Sequence, residues 1–282
     1  MKIIEDPCGA YELLAGWRNS GESIGLVPTM GALHAGHLAL VQRSRAECQR
    51  TVASVFVNPT QFAPHEDLSR YPRTLTDDLR ALEELSVDVV FVPSARSMYP
   101  EGFSTYVQPP AVAQPLEGEF RPGHFQGVAT VVLKLFQILP ATHAYFGQKD
   151  FQQLAVIRHM ASDLNVPVQI VGCPTVREAD GLAMSSRNRY LQPEQRQAAL
   201  SLWGALTAVR ELLLQGQTEV DQLEQCMLER LREGGIQRID YARVVDRDTL
   251  AALLRVDRPA VALIAAHVGH TRLIDNLLLP ND

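Results

Sequence analysis

Apolar and polar positions divide the chain into two regions with different periodicity. Through the first two-thirds, short apolar and β-branched runs alternate with longer segments whose apolar residues recur at helical spacing. The short runs predict buried strands at residues 23–27, 51–57, 87–92, 144–146 and 168–171. The segments between them predict helices at about 38–49, 74–85, 126–139 and 151–164. This alternation is typical of an α/β fold with a doubly wound parallel sheet, which binds ligands at the carboxyl ends of its strands.

The pattern changes after Pro174. A polar loop leads into two predicted helices, at 193–214 and 219–232. Three strand-like runs follow, at 239–245, 260–266 and 273–279. Helices followed by strands predict a smaller α+β C-terminal domain. We therefore expect a first domain over residues 1–175 and a second over 176–282.

Composition narrows the classes of function. The 282 residues carry a formal net charge of −6, which argues against a nucleic-acid partner because such proteins normally carry a basic face. The sequence has no run of about 18 apolar residues, so we expect no membrane span and no membrane partner. The four cysteines lie far apart without a C-x-x-C pair, which favours reduced thiols in a cytoplasmic protein over a disulfide or metal framework.

The strongest chemical signal is the loop over residues 28–37, PTMGALHAGH, between a predicted strand and a predicted helix. Gly31 permits a tight turn, and Gly36 lets a phosphate chain approach a helix N-terminus, where free N–H groups attract anions. His34 and His37 face the same way on one helical turn and can donate to triphosphate oxygens as pyrophosphate departs. Together these features favour a phosphate site over two structural histidines. Zinc is a weaker alternative, because no further Cys or His ligand is obvious.

A second signal is the polar sequence Met184, Ser185, Ser186 and Arg187. A mobile loop with hydroxyls and a guanidinium can close over a triphosphate and neutralise the charge that develops there. Alone, such a sequence is common in exposed turns. Paired with H-x-G-H about 150 residues earlier, it resembles the two-signature arrangement of Rossmann-like enzymes that transfer nucleotidyl groups.

A third signal, Gly147-Gln148-Lys149-Asp150, lies where a predicted strand meets the next helix. Lys149 offers a compact cation for phosphate oxygens, and Asp150 can hold a ribose hydroxyl or cap the helix. Gln153 points the same way one turn later. The alternative is a surface lysine beside a simple helix cap.

Amides follow the strand at 51–57. Asn58 and Gln61 suit a substrate with hydroxyls and a carboxylate, because amides hydrogen-bond such groups without competing as nucleophiles. A plain turn is an equal alternative, since Asn-Pro forms turns easily. Asp77 is a weaker candidate, for a metal-bound phosphate, and such acids more often only begin a helix.

Six motifs in order carry a resemblance: VPTMGALHAGHLALV, FVNPTQF, RYPRTLTDDL, EGEFRPGHFQGV, FGQKDFQQL and VREADGLAMSSRNRYL. They span residues 27–191 and together resemble the pantoate–β-alanine ligase family. The resemblance implies that the carboxylate of (R)-pantoate attacks the α-phosphorus of ATP, with Mg²⁺ assisting, to give pantoyl adenylate and pyrophosphate. The amine of β-alanine would then attack the acyl carbon and release AMP and pantothenate. A cytoplasmic homodimer is also implied.

The resemblance assigns roles by motif. His34 and His37 would contact the phosphates, and His37 resembles the general acid of the family. The residues that would stabilise the pentacovalent transition state are Lys149, Ser185, Ser186 and Arg187. The rest of the ATP site would be lined by Met30, Gly31, Ala32, Leu33, Ala35, Gly36, Gly147, Gln148, Asp150, Val176 and Met184. Gln61 and Gln153 would hold pantoate, with Asn58 assisting and Gln61 close to β-alanine.

Two other functions remain open at this point. A tRNA-charging or other nucleotidyl-transfer enzyme shares the H-x-G-H logic, but it would normally carry a basic appendage. A non-catalytic nucleotide-binding regulator would keep the fold and bind ATP without turnover. Dependence of the reaction on pantoate separates both from the ligase.

Overall fold

The computed structural model of the protein describes residues 1–63, 68 and 71–280. Arg70, the first residue of the RYPRTLTDDL motif, lies outside the described residues. The chain divides into two compact units. The first comprises Met1–Gln148 and Gln153–Pro174, and the second comprises Lys149–Gln152 and the chain from Thr175 onward.

A six-stranded parallel sheet forms the centre of the first unit, in the order β1-β4-β3-β2-β5-β6. Its strands are β1 (Lys2–Ile4), β2 (Ile24–Thr29), β3 (Arg50–Val55), β4 (Val89–Phe91), β5 (His143–Gly147) and β6 (Gln169–Cys173). From β2 the chain adds β3 and β4 on one side and β5 and β6 on the other. The strand order therefore reverses between β2 and β5, which is where such sheets bind ligands.

The helices of this unit are α1 (Pro7–Asn19), α2 (Ala35–Glu47), α3 (Leu75–Glu84), α4 (Ala95–Met98), α5 (Glu117–Phe120), α6 (His124–Ile138) and, from Gln153 onward, α7 (Phe151–Asp163). Val27 of β2 packs in one core cluster with residues of α2 and α3. Its neighbour Leu26 points to the opposite face of the sheet and is also fully buried. Both faces of the sheet are thus covered, which confirms the predicted doubly wound α/β fold.

The second unit packs two helices against an antiparallel sheet. The helices are α8 (Pro193–Leu214) and α9 (Val220–Glu233), and the strands are β7 (Arg238–Asp246), β8 (Ala260–Val268) and β9 (Thr271–Leu279), with β8 central. One core cluster joins them through side chains such as Leu206, Leu223 and Ile264. The predicted smaller α+β arrangement is confirmed.

Several elements differ from the sequence prediction, among them the short helices α4 and α5, which were not predicted. The strand β1 and the helix α1 were not predicted, although Asp6 caps α1 by accepting from the Gly9 amide at 2.7 Å and Pro7 occupies its first turn. The helix α2 begins at Ala35, three residues before the predicted start.

In the part of the chain that the structure describes, no helix is long and apolar enough to cross a membrane.

Candidate active site

The loop after β2 is a fixed tight turn. The Thr29 hydroxyl accepts from the Gly31 amide at 3.2 Å and donates to the Ser54 carbonyl at 2.7 Å. Gly31 has a φ of +80° and Ala32 a φ of +51°, so the chain passes through two consecutive left-handed residues. A side chain at Gly31 would also press against Val55. Gly31 thus provides the tight turn that the sequence predicted.

A buried carboxylate closes this turn from the start of α3. Asp78, only 3% exposed, accepts from the amides of Ala32 and Leu33 at 3.0 and 2.8 Å. The Thr74 hydroxyl donates to the same carboxylate at 3.2 Å. Because protein groups use these amides, a phosphate at this loop has to be bound by other donors. The sequence pattern did not indicate this role of Asp78.

The two histidines of H-x-G-H occupy the first turn of α2. His34 is the N-cap: its Nδ1 accepts from the Gly36 amide at 3.2 Å, and Nδ1 of His37 accepts from the His34 amide at 3.4 Å. The centroids of the two rings lie 4.1 Å apart. A ring nitrogen that accepts a hydrogen bond carries no proton, so each neutral ring holds its proton on Nε2. The cap therefore makes Nε2–H of both residues a donor, which an anion requires.

Asn58 lies in a buried network after β3. It is 1% exposed and donates to Oε1 of Gln61 at 3.1 Å and to the Gly127 carbonyl at 3.2 Å. Its own Oδ1 accepts from the Tyr99 hydroxyl at 2.7 Å. Burial raises the pKa of Tyr99, so the phenol keeps its proton and remains a donor. Asn58 thus uses both of its donor bonds on protein groups and orients Gln61.

Gln61 is 8% exposed and points its amide nitrogen at the loop after β2. Its Nε2 donates to the Met30 sulfur at 2.9 Å, and Nδ1 of His124 contacts the main-chain carbonyl oxygen of Gln61 at 2.9 Å. A thioether is a weak acceptor, so a carboxylate or hydroxyl oxygen would be a better partner for this amide. The structure therefore brings three predicted site residues together: Met30, Asn58 and Gln61.

The segment after β5 also follows the sequence expectation for its place in the fold. The strand ends at Gly147, and Gln148–Asp150 forms one 3-10 turn before α7. The side chains of Lys149 and Gln153 are partly exposed, and Asp150 is exposed. The carbonyl of Lys149 accepts from the Asn276 side chain at 2.8 Å.

In the second unit, a short hairpin leads into the Met184–Arg187 motif. The Met184 amide donates to the Val176 carbonyl at 3.0 Å, and Arg177 pairs with Ala183. The hydroxyl of Ser185 accepts from the Arg187 amide at 3.3 Å and begins a 3-10 turn, Ser186–Tyr190. Both serines and Arg187 are partly exposed, which leaves the motif at a surface that a ligand can reach.

The predicted metal residue lies on the surface of α3. The Asp77 side chain is 74% exposed and faces Arg80 at 3.7 Å. Among the described residues, no group of three or more His, Cys, Asp or Glu side chains is arranged to hold a metal ion. The metal role of Asp77 gains no support from the structure and stays a prediction.

Comparison with known proteins is consistent with this geometry. A family model described as pantoate-beta-alanine ligase matches residues 2–278. A pantothenate synthetase of Rhodopirellula baltica is 55% identical over 259 residues, which cover 91% of each chain. That of Thermotoga petrophila is 49% identical over 279 residues, which cover 99% of this chain and 100% of the relative.

Two solved structures of similar sequence resemble this chain over nearly its whole length. The crystal structure of pantothenate synthetase from Thermus thermophilus has a TM-score of 0.91 and 48% identity, covering 99% of this chain and 100% of that one. A pantoate-beta-alanine ligase from Francisella tularensis, crystallised with beta-gamma ATP and beta-alanine, has a TM-score of 0.78 and 34% identity, covering 99% and 97%. The chain described here belongs to the pantoate–β-alanine ligase family.

Proposed function

We propose that the chain joins (R)-pantoate to β-alanine at the expense of ATP, through a pantoyl-adenylate intermediate. One observation carries the proposal most directly. The H-x-G-H loop and the Gly147-Gln148 segment end neighbouring parallel strands, β2 and β5, where the strand order reverses. In doubly wound sheets that point is the usual ligand site. The Francisella tularensis relative was crystallised with beta-gamma ATP and beta-alanine, which supports ATP and β-alanine as substrates of this chain.

In the first step a pantoate carboxylate oxygen forms a bond to the α-phosphorus, and the bond from that phosphorus to the β-phosphate oxygen breaks. The Nε2–H groups of His34 and His37 suit the phosphate oxygens on which charge develops. In our proposal His37 acts as the acid toward departing pyrophosphate. Lys149, Ser185, Ser186 and Arg187 supply further donors and positive charge, and Arg187 can bind two phosphate oxygens at once.

Pantoate would replace the Met30 sulfur as the partner of the Gln61 amide. The exchange is favourable because a carboxylate or hydroxyl oxygen accepts more strongly than a thioether. Gln153 would hold the second polar end of the acid, and Asn58 would keep Gln61 in place.

In the second step the β-alanine nitrogen attacks the acyl carbon, the bond from that carbon to the AMP oxygen breaks, and the amine loses its proton. Holding the reacting atoms in line supplies much of the acceleration.

Mg²⁺ is part of the proposal as a companion of ATP. The described residues hold no cluster of three or more metal-binding side chains. That suits an ion that phosphate oxygens and water bind, with one or two carboxylates at most. Asp77, exposed beside Arg80, offers one such carboxylate. The ion would neutralise part of the phosphate charge.

The organisation of the protein completes the proposal. Residues 1–175 would form the nucleotide- and pantoate-binding domain, and residues 176–282 a lid domain that carries the Met184–Arg187 motif. The family resemblance implies a cytoplasmic homodimer. Size-exclusion chromatography with light scattering tests the dimer directly.

Exchange of labelled pyrophosphate into ATP tests the first step. We expect exchange only when pantoate is present, and AMP release once β-alanine is added. Exchange driven by a proteinogenic amino acid would instead favour a tRNA-charging enzyme, and ATP binding without turnover would favour a regulator.

Single substitutions locate the chemistry. His37→Ala and Lys149→Ala should each lower the exchange rate by about 100-fold or more, the loss expected for one transition-state donor. His159→Ala, an exposed histidine on α7, is the matched control. Folded variants that keep the wild-type rate would show that the site is elsewhere.

A further inference from the structure

We propose that Asp275 and Asn276, consecutive residues of β9, are positioning residues for the adenylation step. They hold two segments in a fixed relation: the turn that carries Lys149 and the hairpin that leads into Met184–Arg187. The inference rests on the proposed function, because it assumes that both segments act on ATP. All of its contacts lie within the second unit.

The first contact fixes the turn that carries Lys149. Asn276, only 6% exposed, donates from Nδ2 to the Lys149 carbonyl at 2.8 Å. A buried donor aimed at a backbone acceptor restrains the main chain from which the lysine side chain extends. Removing the amide leaves that carbonyl without this donor, so the origin of the Lys149 side chain becomes less well defined.

The second contact fixes the hairpin through Arg177. Its guanidinium binds both oxygens of Asp275, at 2.7 and 2.9 Å, and the carboxylate is 3% exposed. The same guanidinium donates to the Gly181 carbonyl at 3.1 Å and lies 3.6 Å from the ring centroid of Trp203. Planar stacking and a two-pronged ion pair require arginine, since lysine offers only a point charge.

The hairpin connects this restrained arginine to the Met184–Arg187 motif. Arg177 pairs with Ala183, and the next residue, Met184, donates to the Val176 carbonyl. Gly181 turns the chain with a φ of +94° and lies so close to Trp203 that a side chain would overlap the indole. Movement of the motif is therefore expected beyond Met184, while the hairpin itself stays anchored.

One carboxylate joins the two contacts. Asp275 accepts from the main-chain amide of Asn276 at 2.8 Å as well as from Arg177, and Arg177 also donates to the main-chain carbonyl of Asn276 at 3.3 Å. Replacing a buried ion pair by apolar residues of similar volume is often neutral or stabilising, so such a pair is weak support for a purely stabilising role. We infer that this pair orients its neighbours instead, because its geometry fixes the positions of the hairpin and of the Lys149 turn relative to β9.

The test is a double-mutant cycle on pantoate-dependent pyrophosphate exchange. Asn276→Ala should lower kcat by about 10- to 100-fold, the loss expected from a misplaced reacting group, with an unchanged KM for pantoate. In a Lys149→Ala background the same substitution should have little further effect, because its action passes through Lys149. Asn276→Leu, which keeps the side-chain volume, should behave like Asn276→Ala.

Two further variants separate positioning from stability. Asp240→Asn removes a carboxylate whose side chain is 9% exposed and which pairs with Arg272 at 2.7 Å in the same sheet, and it should leave kcat unchanged even if it lowers the melting temperature. Arg177→Lys keeps the charge but loses the two-pronged pair, and it should lower kcat.

The inference is overturned if folded Asn276→Ala and Asn276→Leu keep the wild-type kcat. It is also overturned if the fold-loss is the same with and without Lys149, or if Arg177→Lys keeps the wild-type kcat. A wild-type protein without pantoate-dependent exchange would contradict the proposed function, which is a separate result.

Discussion

Removing the Asp78 carboxylate isolates the support of the loop after β2. Asp78→Ala leaves the buried amide of Ala32 and the partly buried amide of Leu33 without their acceptor, and each loss of this kind costs about 1–3 kcal/mol. The two together give about 2–6 kcal/mol, a large part of the ~5–15 kcal/mol that stabilises a typical protein. Asp78→Asn keeps one acceptor oxygen, so we expect a loss of about 1–3 kcal/mol.

Urea unfolding followed by circular dichroism measures these losses, and the adjacent residue supplies the control. Asp77→Ala removes an exposed carboxylate whose partner Arg80 is 3.7 Å away, and exposed pairs of this kind add little stability. The exchange rate should fall for Asp78→Asn as well, because the turn leads directly into the His34 cap. If both Asp78 variants unfold with the same midpoint as Asp77→Ala, the carboxylate does not support the loop and the reasoning fails. A stable Asp77→Ala protein that has lost exchange would instead support the metal role of Asp77.

Three other predictions follow from burial. Burial lowers the pKa of His267 below its ordinary 6.5, so the folded state binds this proton less tightly. The free energy of unfolding should therefore fall as the pH drops through 6.5 and below, and His267→Gln should flatten that slope in unfolding titrations. Burial raises the pKa of the Cys48 thiol while Cys8 is exposed, so a thiol reagent should label Cys8 in the folded protein and Cys48 only after unfolding, as read by peptide mass spectrometry. Gly127→Ala would overlap the Thr60 carbonyl and displace the turn that carries Gln61, so steady-state kinetics should show a raised KM for pantoate and an unchanged KM for ATP.

The local pattern of apolar and polar residues was enough to predict the buried strands and the long amphipathic helices. The prediction for α8 reproduces its observed bounds, and β2, β3 and β5 are each found within one or two residues of their predicted positions. The strand β1 was missed because it has three residues and only Ile4 is buried, which leaves no period to detect. The helix α1 buries only Ala10 and Leu14, but Asp6 followed by Pro7 was a legible start signal.

The order of the strands and the inner contacts of the site depend on residues far apart in the chain. The helix α2 starts early because a histidine caps it, and histidine is not among the common caps. Asp78 reaches Ala32 across 46 positions, which no local pattern reports. The sequence held a partial signal that Asp78 is buried. It lies four residues before Leu82, on the buried face of α3, whereas Asp77 lies off that face.

The stacking of Arg177 on Trp203 gives the hairpin an optical marker. The chain has two tryptophans, and the other, Trp17, lies in α1 beneath Arg50 at 4.9 Å. Replacing Trp17 by phenylalanine leaves a single indole, pressed against a guanidinium 3.6 Å away. The emission of that indole depends on its charged neighbour. Stopped-flow fluorescence would then show in real time whether nucleotide arrival disturbs the hairpin or only the motif beyond it.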